Sequence, residues 1–449
     1  MLPNRLIPFI LISLAAPAVA LSSEPDGVRP NFLMIVADDV GVDRIGAYEE
    51  HPDAGQTPNI DGLAASGILF RNAWSNPSCS PTRATLLTGR YSFRTGIGKP
   101  IPASPVAGAF RGLRLSETTL PEMLGPRYHS IALGKWHLAT DGNGLDHPQL
   151  SGFESFSGPF RNLFGDANVG IGDERYDYFH WEKTTDGVTV ETNTYATTDT
   201  VDDALVAVES LAEPWFIYLA FSASHKPLHA PPDDLHGFDL TGLPDATPIP
   251  HLKAMTEAMD REIGRLLAGV DMHDTTVIFL GDNGTGGFAM DAPFDPTQGK
   301  GSLFESGINV PFIIAGSAVE QRGRECGALV NTTDLFATLG ELAGQPADTG
   351  LDSISLAPYL IDPDHAPQRK YAFAEKFRPN GFGPYTQHLQ AVRGRRYKLI
   401  MSPLGGAPHL YDLHSDPFEQ NNLMLQRRTP GQRRAIVDLK AALVRLTAD

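Results

Sequence analysis

Cysteine is scarce in this chain, which contains only two among its 449 residues. Two thiols can form at most one disulfide, between Cys79 and Cys326, so a fold held together by several disulfides is excluded. A free cysteine is usually a small, buried, hydrophobic residue. The surroundings of each thiol therefore have to decide whether it has a chemical role.

Positive charge is also in short supply. The chain has 36 lysines and arginines against 53 aspartates and glutamates, which gives a net charge of -17. A surface of this sign argues against nucleic acid or an anionic membrane as a partner. If the substrate is itself an anion, the positive charge that binds it must be concentrated inside a site.

Long hydrophobic runs are missing beyond the N-terminus. The first apolar stretch, Leu6 to Leu14, follows Arg5 and precedes the small residues at 18–20. This layout is typical of a cleavable secretory signal over residues 1–20, and the run is too short to span a membrane. No later stretch approaches spanning length, so the sequence predicts a mature protein without a membrane span. The short signal favours a bacterial protein in a periplasmic or secreted location.

Apolar segments typical of strands alternate with segments of helical pattern. The clearest strand is 31–37, NFLMIVA, a nearly continuous apolar run of the kind that is buried on both faces of a sheet. The alternation predicts an α/β fold, a large and mainly parallel (mixed) sheet flanked by helices on both faces. In such sheets ligands bind beyond the carboxyl ends of the strands. Further strands are predicted at 68–74, 129–133, 215–221, 276–280 and 311–315, and helices at 57–67, 118–124, 197–211, 252–270 and 333–343.

The segment at 79–90, CSPTRATLLTGR, puts the first cysteine in a position suited to chemistry. A polar turn precedes Pro81, which suits a first helical position because proline needs no amide donor there. Cys79 then lies at the mouth of a helix, where free backbone N–H groups and the helix dipole favour an anion. Arg83, predicted within the first turn, adds a permanent positive charge at the same place.

Polar side chains follow several of the predicted strands. Asp38 and Asp39 come directly after the first strand, and Asp282 and Asn283 follow the strand at 276–280. Each pair alone is an ordinary turn signal. At strand ends, however, they offer several hard oxygen ligands and no imidazole, which favours Ca²⁺ or Mg²⁺ over Zn²⁺.

Basic residues and histidines occupy equivalent positions. Lys135 and His137 follow the strand at 129–133, and His225 follows the strand at 215–221. Lys300 lies between two glycines, whose missing side chains leave room for the close approach of a ligand. Taken singly, such residues are usually solvated or satisfied locally. Their shared place at strand ends indicates a site.

Together these segments resemble the signatures of the type I sulfatases of the alkaline phosphatase superfamily. The matches include CSPTR and TGR within 79–90, GKWH at 134–137 and DNG at 282–284. The resemblance implies that a formylglycine-generating enzyme oxidises Cys79 to formylglycine, whose hydrated aldehyde is the nucleophile, and this modification excludes the disulfide. It also implies one divalent cation, most often calcium, held by that aldehyde oxygen and by Asp38, Asp39, Asp282 and Asn283.

The same resemblance implies roles in the hydrolysis of a sulfate monoester. Lys135 and Lys300 hold the sulfate oxygens, while Arg83 and the cation lower the pKa of the formylglycine diol. His225 protonates the leaving alcohol, although an exchange of this role with Lys135 stays open. His137 takes the proton from the second diol oxygen and so restores the aldehyde.

The resemblance further implies how the chain divides. After the signal at 1–20, a catalytic domain covers 21–350 and a smaller α+β domain covers 351–449. In the second domain, AVRGRRYKLI and LYDLHSDPFEQNNL are expected to form a short antiparallel sheet, closed by a helix near 433–446.

Substrate and reaction class stay open. The substrate is a sulfated small molecule or a sulfated glycan, and Ser306 and Asn309 stand where relatives often carry glycine and arginine. The aromatic segment Phe153 to Trp181 is more typical of packing than of a sugar platform, and Lys226 and His229 are expected at the rim. A formylglycine-dependent phosphonate or phosphodiester hydrolase is the nearest alternative. An unmodified binding protein without catalytic activity is the other.

Overall fold

The apolar run that the sequence predicts as a buried strand forms β1, in the interior of a ten-stranded sheet. This computed structural model describes residues 29–102, 112–163, 165–166, 171–172, 176–346 and 352–448. The even-numbered residues of β1 enter the hydrophobic core on one face of the sheet, and its odd-numbered apolar residues enter the core on the other. Burial on both faces explains why the strand has no polar alternation.

Sixteen strands lie in the described residues, ten of them in the large sheet. They are β1 Asn31–Ala37, β2 Gly67–Trp74, β3 His129–Gly134, β4 Ser155–Gly158, β5 Gly165–Asp166, β6 Ile171–Gly172, β7 Trp181–Thr185, β8 Val188–Thr192, β9 Trp215–Ala220, β10 Thr275–Gly281, β11 Phe312–Gly316, β12 Arg324–Asn331, β13 Ala372–Arg378, β14 Gln387–Arg393, β15 Tyr397–Met401 and β16 His409–Asp412.

The order of the large sheet is β12-β2-β11-β10-β1-β9-β3-β4-β7-β8. Its centre, from β10 through β1 and β9 to β3 and β4, is parallel. β11 pairs antiparallel with both β10 and β2, and the β7–β8 hairpin closes the opposite edge. The sheet is therefore mixed, as predicted for this α/β fold, while β5 and β6 form a separate two-stranded ribbon.

Helices cover both faces of the sheet. α1, α6 and α7 contribute to the core on one face, and α2, α4 and α9 contribute to the core on the other. The described helices are α1 Pro58–Ser66, α2 Cys79–Thr88, α3 Ser92–Thr95, α4 Leu120–Leu124, α5 His147–Leu150, α6 Ala196–Ser210, α7 Pro248–Leu267, α8 Glu305–Ile308, α9 Asp334–Leu342, α10 Ala357–Ile361 and α11 Pro430–Leu446.

The helix α2 begins at Cys79, so the prediction of Pro81 as its first residue was wrong. Ser78 is extended, with φ -159° and ψ 161°, and the helical conformation starts directly after it. Pro81 still lies in the first turn, where amides need no helical partner. Arg83 is consequently one turn beyond Cys79 and not in the first turn, but residues four apart share one side of a helix. Every residue of α2 is buried.

The C-terminal region contains a four-stranded antiparallel sheet, in the order β13-β14-β15-β16. One of its faces packs against α11, and the other belongs to the same hydrophobic cluster as Trp74, Leu303 and Ile308. The smaller sheet and its helix are therefore confirmed. The division between 350 and 351 and the signal at 1–20 lie outside the described residues and stay predictions. None of the helices described here has the length and apolar character needed to cross a membrane.

Candidate active site

Four neighbouring parallel strands end at one edge of the large sheet and carry most of the predicted site. β2 runs in the same direction, because it is antiparallel to β11 and β11 is antiparallel to β10, so it delivers Cys79 to this edge. In the order β10-β1-β9-β3, the residues that follow the strands are Asp282 and Asn283, Asp38 and Asp39, His225, and Lys135 and His137.

Asp38 is fully buried, and its backbone is fixed on both sides. Its N–H donates to the Ala223 carbonyl oxygen (2.9 Å), and its own carbonyl oxygen accepts from the Ser224 N–H (2.7 Å). Its Oδ2 pairs with the Lys135 ammonium and lies 3.6 Å from Arg83 Nη2. Burial favours protonation, but the positive charges, Lys135 foremost, outweigh it and hold the pKa of Asp38 well below its ordinary value. Asp38 is therefore ionised.

Arg83 joins the ends of β10 and β3. Its Nε and Nη2 donate to Asp282 Oδ2 at 3.1 and 2.9 Å, and its Nη1 donates to the Lys135 carbonyl oxygen at 2.8 Å. Burial, together with the negative charge of Asp38, nevertheless raises the pKa of Asp282 to about 7. Two buried carboxylates this close favour a cation between them, and Arg83 offsets only part of their charge.

Asp39, Asn283 and Lys300 form a second arm of the site. Asn283 Nδ2 donates to Asp39 Oδ1 at 2.8 Å, and Lys300 Nζ lies 2.5 Å from the same oxygen. The loop of Lys300 is anchored beside the turn before α2, since the Gly301 N–H donates to the Pro77 carbonyl oxygen at 2.7 Å. Burial disfavours the ammonium form, but Asp39 more than compensates and raises the pKa of Lys300 above its ordinary value. Lys300 is therefore a fixed positive charge.

Cys79 is 1% exposed and lies at the bottom of this cluster. Its Sγ belongs to a group of three ligand atoms, with carboxylate oxygens of Asp38 and Asp282, that all lie within 4.8 Å of one another. Burial raises the pKa of the thiol, and the Lys135 ammonium does not reverse this effect. The unmodified residue is a neutral thiol, which is a poor nucleophile. Cys79 and Cys326 are both free, so the possible disulfide is not formed.

Two neutral histidines border the cluster. His137 Nε2 lies 3.1 Å from the Ile101 carbonyl oxygen, while its buried Nδ1 has no hydrogen-bond partner among the described residues. A ring nitrogen of His225 lies within 4.8 Å of carboxylate oxygens of Asp38 and Asp39. Burial, reinforced by the neighbouring ammonium groups, lowers the pKa of both rings, that of His225 to about 4. Both are therefore uncharged at neutral pH.

The donor set fits a hard divalent cation. Asp38 Oδ1 and Asn283 Oδ1 are buried and accept no hydrogen bond from any described residue. Buried oxygen acceptors without donors are costly unless something else satisfies them. A cation among these oxygens would do so, and it would also separate the charges of Asp38 and Asp282. Carboxylate and amide oxygens are the ligands that Ca²⁺ and Mg²⁺ prefer.

The structure adds Tyr178, which the sequence did not single out as a site residue. Its buried hydroxyl donates to the carbonyl oxygens of Ser222 (2.5 Å) and His225 (2.8 Å), and so fixes the turn that carries His225. His229, expected at the rim, is only 9% exposed and packs on Tyr178 with ring centroids 4.2 Å apart, so that expectation was wrong. Lys226 is partly exposed, as a rim position requires.

The aromatic segment is mainly core. Phe179 is 37% exposed, and the side chain of Phe164 lies outside the described part of the chain. The aromatics of this segment that are buried, and for which packing is confirmed, are Phe153, Phe156, Phe160, Tyr178 and Trp181.

Family comparison agrees with this arrangement of strand ends. A family model described as Sulfatase matches residues 30–345, and one described as N-sulphoglucosamine sulphohydrolase, C-terminal, matches residues 298–449. The chain belongs to the sulfatase family, within the type I sulfatases of the alkaline phosphatase superfamily, which confirms the resemblance of its motifs. It is a sulfuric ester hydrolase.

Individual relatives include enzymes that act on sulfated sugars by name. N-acetylgalactosamine-6-sulfatase of Sus scrofa is 30% identical over 377 residues, which cover 78% of this chain and 69% of that protein. Arylsulfatase A of Homo sapiens is 27% identical over 484 residues, which cover 93% of this chain and 88% of that protein.

Solved structures share the fold over most of the chain. Ps i-CgsB, in complex with k-i-k-neocarrahexaose, has a TM-score of 0.76 and 25% identity, and the match covers 93% of this chain and 92% of that one. A structure in complex with its substrate D-glucosamine-2-N,6-O-disulfate has a TM-score of 0.72 and covers 93% of this chain and 98% of that one. At 20% identity the second likeness shows the fold alone.

Proposed function

We propose that this protein hydrolyses a sulfate monoester to an alcohol and inorganic sulfate, with a formylglycine derived from Cys79 as the nucleophile. The observation that carries the proposal is the position of Cys79, the first residue of a buried helix whose Sγ lies within 4.8 Å of carboxylate oxygens of Asp38 and Asp282. A neutral thiol has little use there, whereas a hydrated aldehyde would bring two oxygens into the cluster. A formylglycine-generating enzyme is the maturation partner that this chemistry requires.

One divalent cation, Ca²⁺ in the first place and Mg²⁺ as the alternative, would complete the site. The partnerless oxygens of Asp38 and Asn283 support this assignment. When bound, the cation supplies positive charge that favours ionisation of the hydrated aldehyde and offsets charge at the sulfate. In the protein alone, three carboxylates face three bases, so the added charge makes the pocket positive inside an acidic molecule. The proposed ligands are Asp38, Asp39, Asp282, Asn283 and residue 79.

Lys135 and Lys300 are the proposed sulfate-binding residues. Each ammonium is paired with a different carboxylate, Lys135 with Asp38 and Lys300 with Asp39, so both stay protonated at the edge of the cluster. An ammonium has three donors, and those not used by the carboxylate are available to substrate oxygens. Arg83 acts by holding Asp282 and the backbone of Lys135 in place.

His225 is the proposed acid for the leaving alcohol, with Lys135 as the alternative donor. The ammonium groups that help to depress the pKa of His225 are the groups that a bound sulfate would neutralise, so substrate binding raises its proton affinity. His137 is the proposed base toward the second hydroxyl of residue 79. Its neutral ring and partnerless Nδ1 support that role.

The proposed substrates are sulfated small molecules or sulfated glycans. This class is supported by the printed names of relatives, N-acetylgalactosamine-6-sulfatase and arylsulfatase A. The signal-like segment at 1–20 supports a periplasmic or secreted location. We keep the division into a catalytic domain at 21–350 and a smaller domain at 351–449, which is supported by the separate antiparallel sheet of the C-terminal region.

The test compares 4-nitrophenyl sulfate with 4-nitrophenyl phosphate on protein made with a formylglycine-generating enzyme. The sulfate should have a kcat/KM at least about tenfold higher, and Cys79→Ala should lose activity on both esters. Cys326→Ala is the matched control and should keep it. A preference for the phosphate would contradict the proposal and favour the phosphodiester and phosphonate hydrolases. Full activity of Cys79→Ala would contradict the assigned nucleophile.

A further inference from the structure

The C-terminal sheet turns a row of side chains toward the candidate active site. Ala372 and Ala374 of β13 belong to the same hydrophobic cluster as Leu303, which lies in the loop beyond Lys300. Residues two apart on a strand share a face. Lys376 and Arg378 therefore continue the row along the boundary with the catalytic region.

Lys376 touches the loop that carries a proposed sulfate-binding residue. Its ammonium donates to the carbonyl oxygen of Gly301, the residue directly after Lys300. Lys376 is half-buried, whereas Arg378 at the end of the strand is exposed. One end of this basic row is thus fixed beside the proposed sulfate position, and the other is open to solvent.

The same strand end also contacts a segment that leads to His137. The Phe377 N–H donates to the Gly98 carbonyl oxygen at 3.3 Å. Three residues further on, the Ile101 carbonyl oxygen lies 3.1 Å from His137 Nε2. The basic row therefore lies between two loops that border the candidate active site.

Lys376 and Arg378 are positive charges without a negative partner in the described structure. No carboxylate described here forms an ion pair with either side chain, whereas the buried bases Arg393 and Lys398 of the same sheet are both paired with Glu305. Burial, and after it the charge of Arg378, lowers the pKa of Lys376, so the two bases repel each other. In a protein with a net charge of -17, such a pair stands out as a place for an anion.

We propose that Lys376 and Arg378 bind a second anionic group of the substrate, a sulfate ester or a carboxylate on the sugar next to the one that loses its sulfate. This inference rests on the proposed function and narrows it, because the substrate becomes a polyanionic oligosaccharide and not an isolated aryl sulfate. Residues two apart on a strand are separated by about 7 Å, so both long side chains can converge on one group.

Binding can be measured by titration calorimetry in a Cys79→Ala background, where turnover does not interfere. The probes are N-acetylgalactosamine 6-sulfate, a chondroitin disaccharide that adds a uronate carboxylate, and the corresponding disaccharide with a further sulfate. The test variant is Lys376→Gln/Arg378→Gln. Arg434→Gln/Lys440→Gln is the matched control, because it removes the same charge from α11, which packs on the opposite face of the C-terminal sheet.

The disaccharides should bind at least about tenfold more tightly than the monosaccharide, as expected for a charge-assisted contact. Lys376→Gln/Arg378→Gln should abolish this advantage, and the α11 control should keep it. A gain already present with the uronate identifies a carboxylate, and a gain that needs the further sulfate identifies a sulfate. Because Lys376 also supports Gly301, Arg378→Gln alone should lose part of the advantage.

No advantage in the background protein, or an advantage that survives Lys376→Gln/Arg378→Gln, would overturn the inference. The outcome is independent of the proposed function. Hydrolysis of 4-nitrophenyl sulfate by the protein with residue 79 intact is measured separately, and its failure would leave these binding constants unaffected.

Discussion

The Tyr178 hydroxyl is the only group of that side chain that holds the His225 turn, and Tyr178→Phe removes it with little change in shape. The two bonds lost, to the carbonyl oxygens of Ser222 and His225, are buried. The Ser222 oxygen keeps a second donor, the His225 N–H at 2.9 Å. One carbonyl is therefore left poorly satisfied, which costs about 1–3 kcal/mol. If His225 delivers a proton to the leaving group, the looser turn should lower kcat by about tenfold or more.

Urea unfolding and steady-state kinetics on 4-nitrophenyl sulfate measure the two effects in the same preparation. Tyr176→Phe is the matched control, since the Tyr176 hydroxyl bonds at 2.8 Å to the exposed Glu191 and its loss should change stability by less than about 0.5 kcal/mol. A Tyr178→Phe protein with unchanged stability and unchanged kcat would refute this reasoning. Lower stability with unchanged kcat would restrict Tyr178 to a structural role.

Three further outcomes follow from burial and charge. Lys398→Met should destabilise the protein by about 3–5 kcal/mol in urea, because it leaves the carboxylates of Glu305 and Glu419 without their shared buried ammonium; a loss below about 1 kcal/mol would contradict this. Burial lowers the pKa of His229 from 6.5 to about 4, so the unfolded chain binds the extra proton between these values and stability should fall by about 3 kcal/mol as the pH drops through that window. His229→Gln should flatten this part of the pH dependence, and an unchanged slope would assign it to other groups. Dialysis against a chelator should abolish sulfatase activity, and Ca²⁺ or Mg²⁺, but not Zn²⁺, should restore it; restoration by Zn²⁺ would contradict the oxygen donor set around Asp38.

The central strands and the site they carry were predictable for one physical reason. A parallel strand buried on both faces must be apolar along its whole length, so the first polar residues after NFLMIVA and TTVIFLG mark the points where β1 and β10 leave the core. Parallel neighbours leave it at the same edge. Asp38, Asp282 and the residues after β3 and β9 could therefore be grouped before their distances were known.

The edges of the sheet carried no comparable signal. β7 and β8 read WEKTT and VTVET, and β8 is largely exposed, so neither strand has the apolar run that marks a buried one. β12 begins with charged residues and shifts register between Cys326 and Leu329. Their pairing depends on neighbours that are distant in sequence, and local pattern contains no information about them.

The contacts that orient the site were hidden for the same reason. Arg83 was expected beside Cys79, but its bonds to Asp282 and the Lys135 backbone require the ends of two other strands. Tyr178 stood in an aromatic segment that was correctly taken as packing, and only the turn after β9 gives its hydroxyl a role. His229 looked polar enough for a rim, yet its ring is buried among aromatic side chains.

The central claim is that residue 79 of the working enzyme is no longer a cysteine. Mass spectrometry of the proteolytic peptide that contains residue 79, from protein active on 4-nitrophenyl sulfate, tests it directly. The account predicts an aldehyde at residue 79, an activity that scales with the aldehyde fraction across preparations, and no activity in preparations that retain the thiol. Full activity from protein in which Cys79 is an intact thiol would contradict it.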